Sequence, residues 1–491
     1  MPKSFVSVSA APRRVAAAAA TLCAALALAG CASQGPAHEP LARLGASDLG
    51  LTAQSETGAN TSLPAADWWK SLGDAQLDSL IAQALQGSPS LAMSRARFDK
   101  AAALATATST ATDVRGTLGV DATRQHYSAN GLVPAPIAGH TYNTGNLQAG
   151  LSWTPDFFGR HAADLQAALG QARAAQADNA AAANQLAAQV ARSYVALARL
   201  IAQKDVAGRT LTQRQSLLDL SQQRTRAGLD SQVELTQAQA GLPDAGTQIE
   251  MLDEQITLAR RTIAVLCGQA PEAQLQLSPR LAALQIQAVP GQLGADLLGR
   301  RPDVVAARWR VESATQGIES ARADFYPDIN LTAFIGLNAI GLDNLFKGSS
   351  RQMGITPALR LPLFDGKRLR AQLRGTQADL DTAIAQYNGV VLDAVKEAGD
   401  AITSVQSLVR QQQLQAESLE KAERAYDFAV QRYKAGLASQ VTVLNTETQV
   451  ITQRRLDVDL RARALDTRVS LMKALGGGWT DGTAAVQVSQ H

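Results

Sequence analysis

The sequence predicts an α+β membrane protein. Three copies of the chain share a twelve-stranded outer-membrane β-barrel, four strands from each, and a long periplasmic α-helical barrel of coiled-coil helices continues it. Three observations carry that prediction. One structural plan occurs twice in tandem, with landmarks such as Gly228 and Gly436 lying 208 residues apart. Each copy of the plan holds two segments in which apolar and polar residues alternate. Each pair of segments is followed by a proline-free helical stretch far longer than a globular domain is wide.

The N-terminus sets the address. Lys3, Arg13 and Arg14 precede an uncharged apolar run from Val15 to Leu28, the layout of a signal peptide over residues 1–30. That run is too short to remain as a membrane-spanning helix. Leu28-Ala29-Gly30-Cys31 resembles the bacterial lipobox, whose cysteine is acylated and becomes the mature N-terminus. Ala32 and Ser33 follow, with no aspartate to suggest retention in the inner membrane. An outer-membrane lipoprotein facing the periplasm is expected, with residues 31–67 as a lipid-anchored extension.

Composition narrows the class. Of 491 residues 46% are apolar but only 4% aromatic, and alanine, leucine, glutamine and arginine are abundant, which favours long, closely packed helices over a bulky core. The formal net charge is +3, and all three surplus charges lie in residues 1–30. The remainder is therefore neutral, and nothing argues for a nucleic-acid partner. Cys23 leaves with the signal and Cys31 carries lipid, so only Cys267 remains and no intramolecular disulfide forms. Cys267 ends the apolar run Ile263-Ala264-Val265-Leu266 and reads as a small core residue.

The repeat is specific. Arg224-Thr225-Arg226-Ala227-Gly228-Leu229-Asp230-Ser231-Gln232-Val233 returns as Arg432-Tyr433-Lys434-Ala435-Gly436-Leu437-Ala438-Ser439-Gln440-Val441. Pro155, Phe157, Gly159 and Arg160 return as Pro362, Phe364, Gly366 and Lys367. Pro89, Arg97, Ala101 and Leu118 echo Pro302, Arg310, Ala314 and Leu331. Residues 68–270 form the first repeat and 298–475 the second, with 271–297 connecting them and 476–491 as a flexible tail.

Within the first repeat, Ser88 is placed to cap a helix that Pro89 opens and that runs to about Thr112. The period then changes to two. Leu118, Val120 and Ala122 share one face, as do Leu147, Ala149, Leu151 and Trp153. In the second repeat Ile329, Leu331, Ala333 and Ile335 alternate with polar or small residues, and Ile355, Leu359 and Leu361 share a face. Loops rich in Gly, Asn and Pro, 127–145 and 338–351, join each pair. From Arg160 to Arg226 there is no proline, and Leu186, Val190, Tyr194, Leu197 and Ile201 make a seam for a neighbouring helix. At about 1.5 Å per residue this stretch is on the order of 100 Å long. Ala227-Gly228 and Ala435-Gly436 end the long helices, glycine suiting the left-handed residue of a tight turn. Pro243 predicts a kink or break in the helix that returns from the first turn.

Four alternating strands cannot close a barrel, and an open sheet edge is not tolerated in lipid. Other copies of the chain must complete the ring, and three copies are the natural solution.

With these features the chain resembles the TolC/OprM family of outer-membrane efflux proteins, specifically its lipidated branch. Five stretches carry the resemblance: Trp69-Lys70-Ser71-Leu72-Gly73-Asp74, 152–160 (SWTPDFFGR), 298–304 (LGRRPDV), 321–327 (ARADFYP) and 361–366 (LPLFDG). The resemblance implies a homotrimeric channel-tunnel that passes drugs or other small molecules out of the cell. It implies a periplasmic membrane-fusion adaptor and an inner-membrane, proton-driven efflux transporter as partners. It also implies a periplasmic gate at the two helix breaks, in which an acid of the first half pairs with a tyrosine of the second, matching Glu234 and Tyr433. Arg432 and Lys434 would add a second tie to Glu234 or Asp230. The family's acidic ring matches Thr442 and Asn445, neither of them an acid, so this ring is neutral.

No Gly-x-Ser-x-Gly elbow, phosphate loop or His-Glu-x-x-His helix is present, so neither an enzyme nor a cofactor is expected. His126 and His140 flank the first loop, but two imidazoles do not make a metal site. Two other readings stand beside the efflux channel. One is a lipid-anchored coiled-coil bridge, which leaves the paired strands unexplained. The other is the exit duct of a type I protein secretion system, which needs the same architecture.

Overall fold

The computed structural model describes residues 38–50, 65–285 and 297–480. Cys31 and the signal peptide lie outside the described residues, as do 481–491. Two runs of elements follow the same order. The first comprises α1 (Ala75–Gly87), α2 (Pro89–Ser109), β1 (Arg115–His126), β2 (Thr141–Trp153), α3 (Arg160–Arg226) and α4 (Gln232–Leu266). The second comprises α5 (Leu297–Arg300), α6 (Pro302–Ala323), β3 (Asp328–Ile340), β4 (Arg351–Arg360), α7 (Gly366–Lys434) and α8 (Gln440–Ala474). Among the described residues no helix is long and apolar enough to cross a membrane.

The strands form one antiparallel sheet in the order β1-β2-β3-β4. Its register sorts the side chains into two faces. Leu118, Ala149, Ile335 and Met353 stand opposite one another in a row across all four strands. Val120, Leu147 and Leu337, and Leu151, Ala333 and Ile355, extend the same face. Leu118, Ile335, Met353 and Ile355 are exposed by 72%, 60%, 72% and 74%, so no other described part of this chain covers that face. The opposite face carries Asp121, Gln148, Asn146, Asn338 and Gln352, and the Gln352 amide donates to Asn146 Oδ1 at 3.0 Å. β1 and β4 are the edges, and neither has a second partner within the described chain. The strands run further than alternation alone suggests. β2 begins at Thr141 and β3 ends at Ile340, because the backbone ladder continues through Gly145, Asn146 and Asn338 where apolar periodicity fades. The loops shorten to 127–140 and 341–350.

The long helices are the frame. α3 has 67 residues and α7 has 69, each on the order of 100 Å at about 1.5 Å per residue. α3 is the hub, packing against α1, α2, α4, α6 and α8, while α7 packs against α6 and α8. Leu186, Val190, Tyr194 and Leu197 of the expected seam are buried, in a core shared with Leu77, Leu80 and Ile81 of α1, Ile256 and Ile263 of α4, and Leu465 and Val469 of α8. The Tyr194 hydroxyl, inside that core, donates to Asp74 Oδ2 at 2.8 Å, which satisfies its polar end. Cys267 is buried in the same cluster.

Three expectations require correction. Of the kink or break expected at Pro243, the break does not occur: α4 runs through it from Gln232 to Leu266. Ser88 makes no side-chain cap, its hydroxyl meeting that of Ser90 instead. The tail is not free where it begins. Gly476, Gly477 and Gly478 take left-handed φ values of 92°, 61° and 72°, a turn that folds Trp479 back onto Ala177, Val305, Ala306 and Trp309. A Cβ on Gly477 would collide with the Asn184 side chain, so the close approach itself requires glycine.

Candidate periplasmic gate

Both long helices end in the same turn. Ala227 N–H donates to Gln223 O, Gly228 N–H to Thr225 O at 3.0 Å, and Leu229 N–H to Arg224 O at 2.9 Å. In the second half Gly436 N–H donates to Tyr433 O at 3.0 Å and Leu437 N–H to Arg432 O at 2.8 Å. These are paired Schellman closures, which need a left-handed residue after the cap. Gly228 and Gly436 supply it with φ of 71° and 75°.

The returning helices then start differently. Ser231 and Glu234 form a reciprocal capping box: Val233 N–H donates to Ser231 Oγ at 3.1 Å, and Ser231 N–H donates to Glu234 Oε2 at 2.9 Å. At the equivalent place Thr442 stands where Glu234 does, and Ser439 Oγ meets Thr442 Oγ1 at 3.2 Å without capping the backbone. Thr442 and Asn445 are exposed and uncharged.

The two halves are joined at Tyr433. Its side chain is 1% exposed, packed among Leu217, Ala429 and Val443, and its hydroxyl donates to the Asp230 carboxylate. Arg224 holds the same carboxylate with two hydrogen bonds, Nε to Oδ2 at 2.9 Å and Nη2 to Oδ1 at 3.1 Å. Arg224 Nη1 also donates to the Tyr433 carbonyl at 3.0 Å, and the guanidinium carbon lies 4.6 Å from the tyrosine ring centre. The result is a compact cation–carboxylate–phenol cluster spanning the ends of α3 and α7.

The expected pairing is therefore corrected in its acid. Glu234 does not reach Tyr433, because its carboxylate is engaged by Ser231 at the helix start. Asp230, four residues nearer the turn, receives the Tyr433 hydroxyl instead. Arg432 and Lys434 do not tie to Glu234 or Asp230 among the described residues: Arg432 reaches only Leu437 O, at 3.4 Å, and Lys434 is exposed. The residue missed by sequence reading is Arg224. Its signal lies in the repeat: Arg224 and Arg432 are equivalent, but only the first half has an acid, Asp230, where the second has Ala438.

Ionisation follows the geometry. Burial raises the Asp230 carboxyl, but the hydrogen bonds from Arg224 and Tyr433 and the Arg224 charge outweigh it and leave the group below its ordinary value. Burial, then the hydrogen bond to Asp230, push the Tyr433 phenol up to about 12. The hydrogen bonds from Ser231 hold Glu234 below its usual range. His126 and His140 each bond locally, to Thr141 Oγ1 at 3.1 Å and Ala138 O at 2.9 Å. No group of three or more His, Cys, Asp or Glu placed for a metal occurs among the described residues.

Comparison with known proteins places this architecture. The sequence profile of the outer membrane efflux protein family matches residues 80–269 and 293–477. The multidrug resistance outer membrane protein MdtP of Shigella flexneri is 34% identical over 433 residues, covering 86% of this chain and 88% of MdtP. The multidrug resistance outer membrane protein MdtQ of Escherichia coli O157:H7 is 32% identical over 466 residues, covering 92% and 96% of the two chains. The crystal structure of the outer membrane protein VceC from Vibrio cholerae superposes with a TM-score of 0.80 at 34% identity, covering 84% of this chain and 99% of VceC. The outer-membrane channel OprN superposes with a TM-score of 0.79 at 25% identity, covering 91% and 99%. The resemblance read from the sequence is thus shown, and the chain belongs to the outer membrane efflux protein family.

Proposed function

We propose that three copies of this chain close a twelve-stranded barrel and a helical tunnel that together form the exit duct of a tripartite efflux pump. The observation that carries the reading is the sheet. Its apolar face is exposed along all four strands, its other face is polar, and two edges are open. Such a sheet is stable in lipid only when other copies pair with its edges, and then the apolar face meets lipid while the polar face lines water. The two repeats continue the ring below the membrane as four long helices per chain, α3, α4, α7 and α8. A periplasmic adaptor and a proton-driven inner-membrane transporter supply the cargo. MdtP and MdtQ are named for multidrug resistance, and drugs or similar small molecules are the cargo class we assign. Acylated Cys31 adds a lipid anchor to the outer membrane.

The gate reading moves to Asp230, Tyr433 and Arg224, with Gly228 and Gly436 setting the turns. This cluster ties the first half to the second at the narrow end of the tunnel and holds the resting duct shut.

The test is assembly and conduction by the full chain. Detergent-solubilised protein is expected to run as one species near three times the monomer mass and to conduct in a planar bilayer. A folded monomer in light scattering, or a trimer that conducts neither as wild type nor as Tyr433→Phe, would overturn the duct.

A further inference from the structure

A second contact between the halves lies further from the turns. Arg214 is twelve residues before the end of α3, roughly 18 Å from it, and Glu447 is seven residues into α8, roughly 11 Å from its start. Arg214 Nη1 donates to Gly241 O and to Asp244 Oδ2 of α4, both at 2.8 Å, while its Nε reaches Glu447 Oε2 at 3.4 Å. One guanidinium thus serves three acceptors, and the contact to Glu447 is the longest. The Glu447 side chain is 2% exposed, and its other oxygen, Oε1, is buried without a hydrogen-bond partner. Asp244 is 67% exposed.

A buried carboxylate with one long contact is expensive when ionised and cheap when protonated. The groups facing it do not make up the deficit. From α3 comes Arg214, shared with Asp244 of α4. From α7 comes Tyr426, whose phenol is pushed up to about 12 by burial and then by the Glu447 charge. Glu423 is paired with Arg454 of α8 at 2.9 Å, and Arg454 also donates to Gln213 Oε1 of α3.

We propose that Arg214 and Glu447 form a proton-linked second tie between the halves, one that tightens as the periplasm acidifies. The inference rests on the gate reading, in which opening parts the halves at the tip. Parting exposes Glu447 of α8 to water, where its ionised form is fully solvated. Burial raises the Glu447 carboxyl in the packed state, against the smaller opposing effect of Arg214. A raised carboxyl favours the packed state as pH falls, since the proton is bound more tightly there. For each pH unit separating the packed and open values, the closed-to-open ratio gains about tenfold per chain on full protonation.

The experiment is single-channel recording of the full chain at pH 7.5 and 5.5. Wild type is expected to open less often at the lower pH. Glu447→Gln, neutral and of the same shape, is expected to show low opening at both and no slope. Asp244→Asn alters an exposed side chain, leaves Arg214 to Glu447, and is expected to move the midpoint to lower pH. A Glu447→Gln channel that keeps the wild-type slope, an unmoved midpoint in Asp244→Asn, or wild type that opens with acid would each overturn the tie. Tyr433→Phe separates the two readings. Unchanged conductance in that variant sinks the gate at Tyr433 while a flattened slope in Glu447→Gln still supports the tie. Where Glu447→Gln fails to assemble, the midpoint of Asp244→Asn decides alone.

Discussion

The Tyr433 hydroxyl at the end of α7 donates to the Asp230 carboxylate in the turn after α3, and Arg224 grips that carboxylate while lying over the tyrosine ring. Arg224 and Asp230 side chains are 13% and 9% exposed, so the pair is largely withdrawn from water. Breaking one member of a buried, hydrogen-bonded pair costs more than the net worth of the pair, because the other charge is stranded.

Replacing Tyr433 by Phe removes one charge-assisted hydrogen bond, about 1.5–3 kcal/mol per chain. Single-channel conductance is expected to rise, and large antibiotics such as vancomycin to enter. Asp230→Asn is expected to have a larger effect, since it also strands Arg224. Antibiotic susceptibility of cells carrying each variant, ranked against wild type, checks the order.

Arg224→Met removes the grip on Asp230, the bond to the Tyr433 carbonyl and the ring contact together. Its effect on conductance is expected to equal or exceed that of Asp230→Asn, and the double variant to add little to either single one. Additive effects in that cycle would show that the two residues act apart.

Glu234→Gln is expected to leave conductance unchanged, because Glu234 serves the start of α4 rather than the link between halves. Only local order at that helix start is expected to fall, measured as faster hydrogen exchange in residues 231–235. A Glu234→Gln channel as open as Tyr433→Phe would return Glu234 to the gate.

The link at Tyr433 is expected to be insensitive to pH between about 5 and 9. Asp230 lies below its ordinary value, so its contribution is present above the carboxylate range and is lost only as pH falls through that lowered value. Tyr433 lies above its ordinary value, so its contribution is lost only as pH climbs toward about 12. The fold-change in the open-to-closed ratio produced by Tyr433→Phe should therefore be the same at pH 5.5 and 7.5, even as the tie at Glu447 shifts the wild-type ratio.

Cys31→Ser is expected to abolish acylation while leaving much of the protein in the outer membrane. A single acyl chain anchors marginally, whereas a closed barrel inserts effectively irreversibly. Complete release of the variant into the periplasm would speak against the barrel. Truncation after Leu475, by contrast, is expected to lower the melting temperature, because it removes Trp479 from Val305, Ala306 and Trp309.

Much of this protein is legible in its amino-acid sequence. Period-two alternation around Leu118, Leu147, Leu331 and Ile355, the uninterrupted helical stretch from Arg160 to Arg226, and the Ala-Gly steps at 227–228 and 435–436 identified strands, long helices and turns. These features are local: a side-chain period, a missing proline and a left-handed glycine act within one or two turns of chain. The duplication also told which segments are equivalent.

What pairs with what was decided by tertiary structure. Glu234 and Asp230 are both acids near the same turn, and spacing does not choose between them. The capping box occupies Glu234, and the packing of Tyr433 beneath Arg224 brings its hydroxyl to Asp230. Glu447 gave no signal as one polar residue in a polar helix, and its burial exists only where α3, α7 and α8 meet. Pro243 and the triple glycine at 476–478 show the same limit. Local propensity predicted a kink or break at Pro243 and a flexible tail, whereas the helix runs on through Pro243 and contacts with distant segments dock the start of the tail. Hydrogen bonding and burial across hundreds of residues depend on how elements pack, and no window of sequence contains that information.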